Sequence, residues 1–351
     1  MGRILYGIMG DARGHVNRAL IVAQDLSRHE FLFLGGGKVL DLKSTGYAVE
    51  TLPMASTFYR NNKVDIPRTL ANGLRVLLGS PAVVRRVADI IDRFDPDLIM
   101  TDYEFFTPLA ARKLGRFCVS LDHQHVVTHC SYETPKTERI SGLMTGQSIK
   151  MLYSKADLFL ITSFFQVPPK DPRDTEVFPP ILRHAVTESR ATEGDHVLVY
   201  QTSPTFHKLL SVLEAVGRKF IIYGLGERVP RKNLVFKAAS SKGFLEDLRS
   251  CRYVITNGGH NVVSEALYFG KPVFSFPIAN AYEQFLNAVF LARLGYGAYS
   301  TVPDPSPGVL DAFEAGLDEY AARIKRENFH GNREILARLE ELMRTRTETK
   351  T

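Results

Sequence analysis

The chain has 351 residues, a length that predicts about two domains. Its 44% apolar and 23% charged composition is that of an ordinary globular protein, and no apolar run approaches the length of a membrane span. The net charge of +6 fits an anionic partner, either a phosphate-bearing ligand or an acidic membrane. Cys118, Cys130 and Cys251 are odd in number and form no C-x-x-C pair. With no signal-peptide pattern at the start, the expected location is cytoplasmic, or peripheral on the inner face of the cell membrane.

Short β-branched or aromatic runs predict strands at Ile4–Ile8, Phe31–Leu34, Val49–Leu52, Leu98–Thr101, Phe117–Leu121 and Leu158–Ile161. Helical patterns fall between them. Val16, Ala19, Leu20 and Ala23 share one helical face, and Ser80-Pro81 opens a helix whose core face is Val83, Val84, Val87, Ile90, Ile91 and Phe94. The stretch Phe164–Pro180 is rich in proline and charge without a period, and reads as a domain boundary. Strands then resume at Val197–Tyr200, Phe220–Tyr223, Tyr253–Thr256 and Pro272–Phe276. From Pro307 onward the chain reads as charged helix. The expected architecture is α/β: two Rossmann-like doubly wound domains facing a cleft. They are an N-terminal Rossmann-like domain at 1–165, a linker at 166–190, a C-terminal Rossmann-like domain at 191–325, and a C-terminal helix and tail at 326–351.

In such sheets ligands meet the loops beyond the carboxyl ends of strands. The first of these is "GIMGDARGH", where Gly10 and Gly14 allow close backbone approach and His15 opens a helix. That histidine is either a helix-start cap or a neutral imidazole able to take a proton. The second is "TNGGHNVVSEALYFGKP", which reads strand, turn, helix, glycine stop. Gly258, Gly259 and His260 place N–H groups at a helix N-terminus, a ready anion site, between Asn257 and Asn261. Glu265, a turn further on, suits a sugar diol because an ionised carboxylate accepts from two hydroxyls; otherwise it is a solvated helix residue. Beyond the next strand, Glu283, Gln284 and Asn287 cluster at another helix start, with the amides and carboxylates that hydroxyl-rich ligands need. Phosphate acceptor followed by ribose acceptor is the chemistry of a nucleotide diphosphate.

The order G-x-x-x-G-H, then T-N-G-G-H-N-x-x-S-E-A-L-x-x-G-K-P, then P-x-x-x-x-x-E-Q-x-x-N-A resembles the GT-B glycosyltransferases. It is most similar to glycosyltransferase family 28 and its relatives, which include the N-acetylglucosaminyltransferase of peptidoglycan synthesis. The resemblance spans essentially the whole chain. It implies that His15 matches an active-site histidine, a general base, with Gly14 beside it on the donor side. His260, with Gly258 and Gly259, matches the pyrophosphate contact, with Asn257 and Asn261 beside it on the donor side. Glu265 matches the ribose carboxylate, and Glu283 with Gln284 the pair that reads the donor sugar, so that the first domain is expected to be acceptor-binding and the second nucleotide-sugar-binding. Phe244 matches a position whose backbone meets the base. Thr202 and Ser203 match a diphosphate loop, though without its usual glycines. His123 and Gln124, in "SLDHQHV", resemble an acceptor-side loop.

The implied reaction moves a sugar from a UDP-sugar donor substrate to an acceptor hydroxyl with inversion, with no metal and no resident cofactor. Asp102, after "DLIMT", orients His15, acts itself, or caps its loop. The acceptor is a glycan or a lipid-linked molecule. The basic, leucine-bearing segment Arg60–Phe94 fits an anionic membrane surface, or equally a helix pair packed on the sheet. Two alternatives stay open: a UDP-sugar epimerase of the same architecture, in which Arg13 would matter, and a non-catalytic sugar-nucleotide-binding subunit. No nucleic-acid motif is present.

Overall fold

Strands buried on both faces read as near-continuous apolar runs, and such runs build two parallel sheets in this protein. The computed structural model describes residues 1–133, 135–201, 206–238, 240–302 and 305–350. Two units result. One comprises Met1–Phe58, Ile66–Arg183 and the chain from His330 onward; the other comprises Tyr59–Asp65 with His184–Phe329.

In chain order the first half contains β1 (Arg3–Ile8), α1 (Arg13–Asp25), β2 (Glu30–Gly35), β3 (Ala48–Thr51), β4 (Tyr59–Arg60), β5 (Lys63–Val64), α2 (Ile66–Leu78) and α3 (Ser80–Phe94). It continues with β6 (Leu98–Asp102), α4 (Phe106–Lys113), β7 (Cys118–Asp122), α5 (Val126–His129), α6 (Arg139–Leu152), β8 (Leu158–Thr162) and β9 (Thr175–Phe178). The first sheet runs β3-β2-β1-β6-β7-β8-β9, all parallel. Side chains alternate along β1. Ile4, Tyr6 and Ile8 join Val16, Ala19 and Val22 of α1 on one face. Leu5 joins Val87, Ile90 and Ile91 of α3 on the other.

The second half contains α7 (His184–Thr187), β10 (Val197–Tyr200), α8 (His207–Ala215), β11 (Phe220–Tyr223), β12 (Arg228–Arg231), β13 (Leu234–Phe236), α9 (Ser241–Ser250), β14 (Val254–Thr256) and α10 (His260–Tyr268). Then come β15 (Val273–Ser275), α11 (Tyr282–Leu294), β16 (Gly297–Tyr299), α12 (Gly308–Glu314), α13 (Leu317–Ile324) and α14 (Asn332–Lys350). Its sheet runs β12-β13-β11-β10-β14-β15-β16, and only the edge strand β12 is antiparallel to its neighbour.

Three differences from the sequence expectation have physical reasons. The proline-rich segment read as a linker supplies β9, an edge strand parallel to β8. Proline is tolerated at a sheet edge, where one side of the strand needs no donors. The basic segment Arg60–Phe94 divides. Its start is the β4–β5 hairpin, turned by Asn61 and Asn62 with φ of 51° and 52°, which is tied to the second unit by Val64 N–H to the Ala279 carbonyl at 3.0 Å. Its end, α3, buries Val87, Ala88, Ile90 and Ile91, whereas no residue of α2 is buried. Finally, α14 belongs to the first unit. Ile335, Leu339, Leu342 and Met343 pack against the β1 face, and Asn332 exchanges two 2.8 Å hydrogen bonds with the backbone of Leu182.

Candidate active site

Each sheet reverses its strand order near its middle. In the first unit this happens between β1 and β6, and in the second between β10 and β14. Adjacent loops diverge at such a point, and a ligand fits beyond the strand ends.

In the first unit the loop after β1 turns at Gly10, where an added Cβ would fall 1.8 Å from the Gly36 carbonyl oxygen, so only glycine fits. The chain then enters α1, whose first turn carries Gly14 and His15. β6 ends on Asp102, and the two side chains meet. His15 Nδ1 lies 2.6 Å from Asp102 Oδ1. Arg18, one turn along α1, donates Nε–H to Asp102 Oδ2 and Nη2–H to Oδ1, both at 2.8 Å. Arg18 Nη2 also lies 3.2 Å from His15 Nδ1; the shorter carboxylate contacts assign both nitrogens as donors sharing Asp102. A neutral imidazole that donates from Nδ1 carries its lone pair on Nε2. In that tautomer Nε2 is the His15 atom able to accept a proton.

The cluster is buried, with His15 8%, Arg18 4% and Asp102 0% exposed. Burial works against the Arg18 charge, but the charge and hydrogen bonds of Asp102 outweigh it and hold the guanidinium pKa above its ordinary value. Asp102 is thus a partner of His15 rather than a loop cap. Arg18 carries a sequence signal that the reading passed over: a basic residue three positions after His15, on the apolar face of α1. Arg13 instead points outward and pairs with Asp41 at 3.5 Å.

His123 and Gln124 follow β7. His123 is 1% exposed, and its Nδ1 lies 2.8 Å from the Thr162 carbonyl of β8, so its imidazole is engaged inside the unit. Gln124 is half-buried, and its Oε1 accepts from the His123 backbone N–H at 3.3 Å. Beside them is a second acid–histidine pair that the sequence reading missed. His125 Nδ1 is 2.6 Å from Asp122 Oδ2, and Ser120 Oγ donates to the same oxygen at 2.6 Å. Burial opposes the Asp122 charge, yet the charge and hydrogen bonds of His125 hold the carboxyl well below its usual range.

In the second unit β14 leads through Asn257, Gly258 and Gly259 into α10. Gly258 has φ of 85°, and a Cβ there would fall 2.8 Å from the Gln284 carbonyl oxygen. Both observations require glycine. No side chain caps the start of α10, and a helix N-terminus directs its first-turn N–H groups towards an anion. His260 is buried, and its Nε2 lies 3.4 Å from Ser264 Oγ. Asn261 is half-buried on the same turn, its Oδ1 3.4 Å from His260 Nδ1. Glu265 is 6% exposed, so it is not a solvated helix residue. Asn257 Nδ2 donates to Gln201 Oε1 at 2.7 Å and to the Phe276 carbonyl at 3.1 Å. It thereby ties the ends of β10, β14 and β15 together.

The loop before α11 is held by its own helix. Gln284 Oε1 accepts from the Ile278 N–H at 3.2 Å, and Asn287 Nδ2 donates to the Gly258 carbonyl at 2.9 Å. Glu283 and Gln284 are half-buried on the first turn of α11. Phe244 lies in the first turn of α9. Its backbone N–H is used by the Ser240 carbonyl at 2.9 Å, while its ring packs edge-on to Tyr200 and Tyr223 at the ends of β10 and β11. Thr202 and Ser203 lie outside the described residues. Among the described residues no group of three or more His, Cys, Asp or Glu is arranged to hold a metal ion, and no helix is long and apolar enough to cross a membrane.

Comparison with known proteins bears on the fold and the family. An uncharacterized glycosyltransferase of Methanosarcina acetivorans is 25% identical over 355 residues, covering 93% of this chain and 92% of its own. The structure of Phytolacca americana UGT2, complexed with UDP-2fluoro-glucose and pterostilbene, superposes with a TM-score of 0.68 at 15% identity, covering 98% of this chain and 99% of its own. Acinetobacter baumannii MurG superposes with a TM-score of 0.62 at 15% identity, covering 97% and 100%. These structures share the GT-B fold of two parallel-sheet domains. Nothing among the relatives supports the epimerase alternative. The model of glycosyl transferase family 1 matches residues 2–317, and the chain belongs to that family: it is a GT-B glycosyltransferase.

Proposed function

We propose that this glycosyltransferase moves a sugar from a UDP-sugar to an acceptor hydroxyl, inverting the anomeric carbon, without a metal or a resident cofactor. The observation that carries the reading is the 2.6 Å contact between His15 Nδ1 and Asp102. It leaves Nε2 as the base that takes the acceptor proton. The acceptor oxygen attacks the anomeric carbon opposite the departing diphosphate, through an oxocarbenium-like transition state. The bond from that carbon to the diphosphate oxygen breaks, and charge grows on UDP. The uncapped N–H groups at the start of α10 stabilise that charge. Glu265 accepts from the ribose hydroxyls, Glu283 and Gln284 read the sugar, and Phe244 offers its ring to the base. The UDP-sugar analogue named with UGT2 supports this donor class by analogy of fold.

The partner on the acceptor side is a lipid-linked molecule at an anionic membrane surface. α2 exposes Ile66, Leu70, Leu74 and Leu78 at 42%, 66%, 58% and 76%, spaced four residues apart on one face. α6 exposes Ile140, Leu143, Met144 and Met151. Neither helix contains an acidic residue, and they carry Arg68, Arg75, Arg139 and Lys150. Cationic helices with outward apolar stripes suit the interface of an acidic bilayer.

A thermal-shift panel with UDP, GDP, ADP, CMP and several UDP-sugars, repeated in EDTA, tests the donor half. A ligand at about a hundred times its Kd stabilises by roughly 2.7 kcal/mol. The expected result is a shift with UDP and one UDP-sugar, unaffected by EDTA and abolished by Glu265→Ala. No shift with any nucleotide overturns the reading. Binding without turnover in the presence of acceptors would favour the non-catalytic subunit.

A further inference from the structure

The hydrogen bond to Asp102 fixes which His15 nitrogen carries the proton, but it does not fix the plane of the ring. The structure supplies a second restraint. The Tyr103 ring lies parallel to His15, at 7° with centroids 6.2 Å apart. On the Tyr153 side Tyr103 is again parallel, at 9° and 4.1 Å. Phe105 closes the stack edge-on against Tyr153, at 85° and 6.0 Å, and His125 meets Tyr103 edge-on at 6.2 Å. Tyr103 directly follows Asp102 and has φ of 53°, a left-handed conformation that bulky side chains rarely adopt. A strained residue persists only where its surroundings over-determine it, and such strain concentrates at functional sites.

We propose that Tyr103 and Tyr153 are positioning residues for the His15 base. Asp102 holds the imidazole within its plane, and the parallel ring stack holds the plane itself, so that Nε2 keeps one direction. The left-handed turn at Tyr103 lets one short segment do both, because Asp102 and the stacking ring are consecutive residues. This inference rests on the reading of His15 as the base, but its test does not need turnover.

The test is NMR of full-length protein labelled with 15N in its histidine rings, with the His15 signals assigned by their loss in His15→Gln. The Nδ1–H held by Asp102 should give a resolved, slowly exchanging signal in the wild type and in Tyr103→Phe, which keeps the ring. Tyr103→Gly suits the left-handed backbone and removes the ring; its His15 Nδ1–H signal should broaden or vanish while that of His123, whose Nδ1 is held by the Thr162 carbonyl, persists. Tyr153→Ala, which leaves the backbone at 103 untouched, should do the same. A sharp, unshifted His15 signal in both ring-deleted variants overturns the proposal. Once the donor panel has identified a substrate, the same two variants should lose roughly threefold to tenfold in kcat with KM unchanged, and Tyr103→Phe should restore it. If the spectra behave as expected but His15→Gln leaves turnover intact, the positioning stands and the assignment of His15 as base falls.

Discussion

Asn287, fully buried on α11, donates to the carbonyl of Gly258 at 2.9 Å. The loop that offers its N–H groups to an anion is therefore anchored by the helix that carries Glu283 and Gln284. The backbone at the start of α10 and the side chains at the start of α11 share one support.

Replacing Asn287 with leucine leaves the Gly258 carbonyl without this donor, and losing a buried hydrogen-bond partner costs about 1–3 kcal/mol. Part of that loss should appear as a Kd for UDP about tenfold weaker by calorimetry. Gly258→Ala should weaken it at least as much, because its φ is 85° and its Cβ would crowd the Gln284 carbonyl oxygen.

On the proposed mechanism His15→Ala removes the proton acceptor and should lower kcat by about 10²- to 10⁴-fold with KM nearly unchanged. Asp102→Asn should fall in the same range, because the amide no longer enforces the Nδ1–H form of His15. Steady-state kinetics against the donor found in the panel checks both. An unchanged kcat in His15→Ala would place the base elsewhere.

Arg18→Met leaves Asp102 buried with His15 as its one remaining side-chain partner among those described here. Breaking a buried pair from one side costs about 3–5 kcal/mol. Urea unfolding should show that loss, and pairing the change with Asp102→Leu should recover part of it.

The strands and helices near these residues were legible because parallel strands covered on both faces are apolar without interruption, as in "LIMT" and "FIIY". β9 was not, because Pro168, Pro169, Pro172, Pro179 and Pro180 surround it and an edge strand needs few apolar residues. The β4–β5 hairpin was hidden in a basic stretch whose Asn61-Asn62 turn is its one local signal. In the site, the glycine and histidine positions showed in the sequence, since loop chemistry is local. The pairing of His15 with Asp102 joins residues 87 positions apart; the strand order brings them together, and no spacing encodes it. The pair of Asp122 with His125 was local and still missed, because a histidine three residues from an aspartate is common on any loop.

His129 is half-buried against Phe159, and burial first, with the charge of His125 second, lowers its pKa from 6.5 to about 4. Asp122, Asp174 and Lys170 are the other charges acting on it. The unfolded chain takes up that proton near pH 6.5 and the folded protein only near pH 4. Stability from this group is therefore complete above about pH 6.5 and is lost as pH falls towards 4, by about 2 kcal/mol after allowance for partial exposure. Urea unfolding at pH 7.5 and pH 5 should show the fall, and His129→Phe should flatten it.

Leu70→Glu with Leu74→Glu places two acids on the outward stripe of α2, where no buried contact is lost. The protein should stay folded and lose co-sedimentation with phosphatidylglycerol vesicles. Wild type should bind these vesicles, release them at high salt, and bind phosphatidylcholine vesicles weakly. Equal binding to both lipids would remove the electrostatic part of the reading.

The return of α14 to the first sheet reaches beyond packing. Until residues 332 to 343 leave the ribosome, the β1 face that holds Ile4, Tyr6 and Phe33 lacks the cover of Ile335, Leu339 and Leu342. Synthesis from the N-terminus therefore leaves the earlier unit to finish last, after the later one has its own complete core. A nascent or truncated chain ending near residue 330 would display an apolar sheet surface to chaperones and to its own copies. The last helix acts as the latch that converts two folding stretches of chain into one finished enzyme.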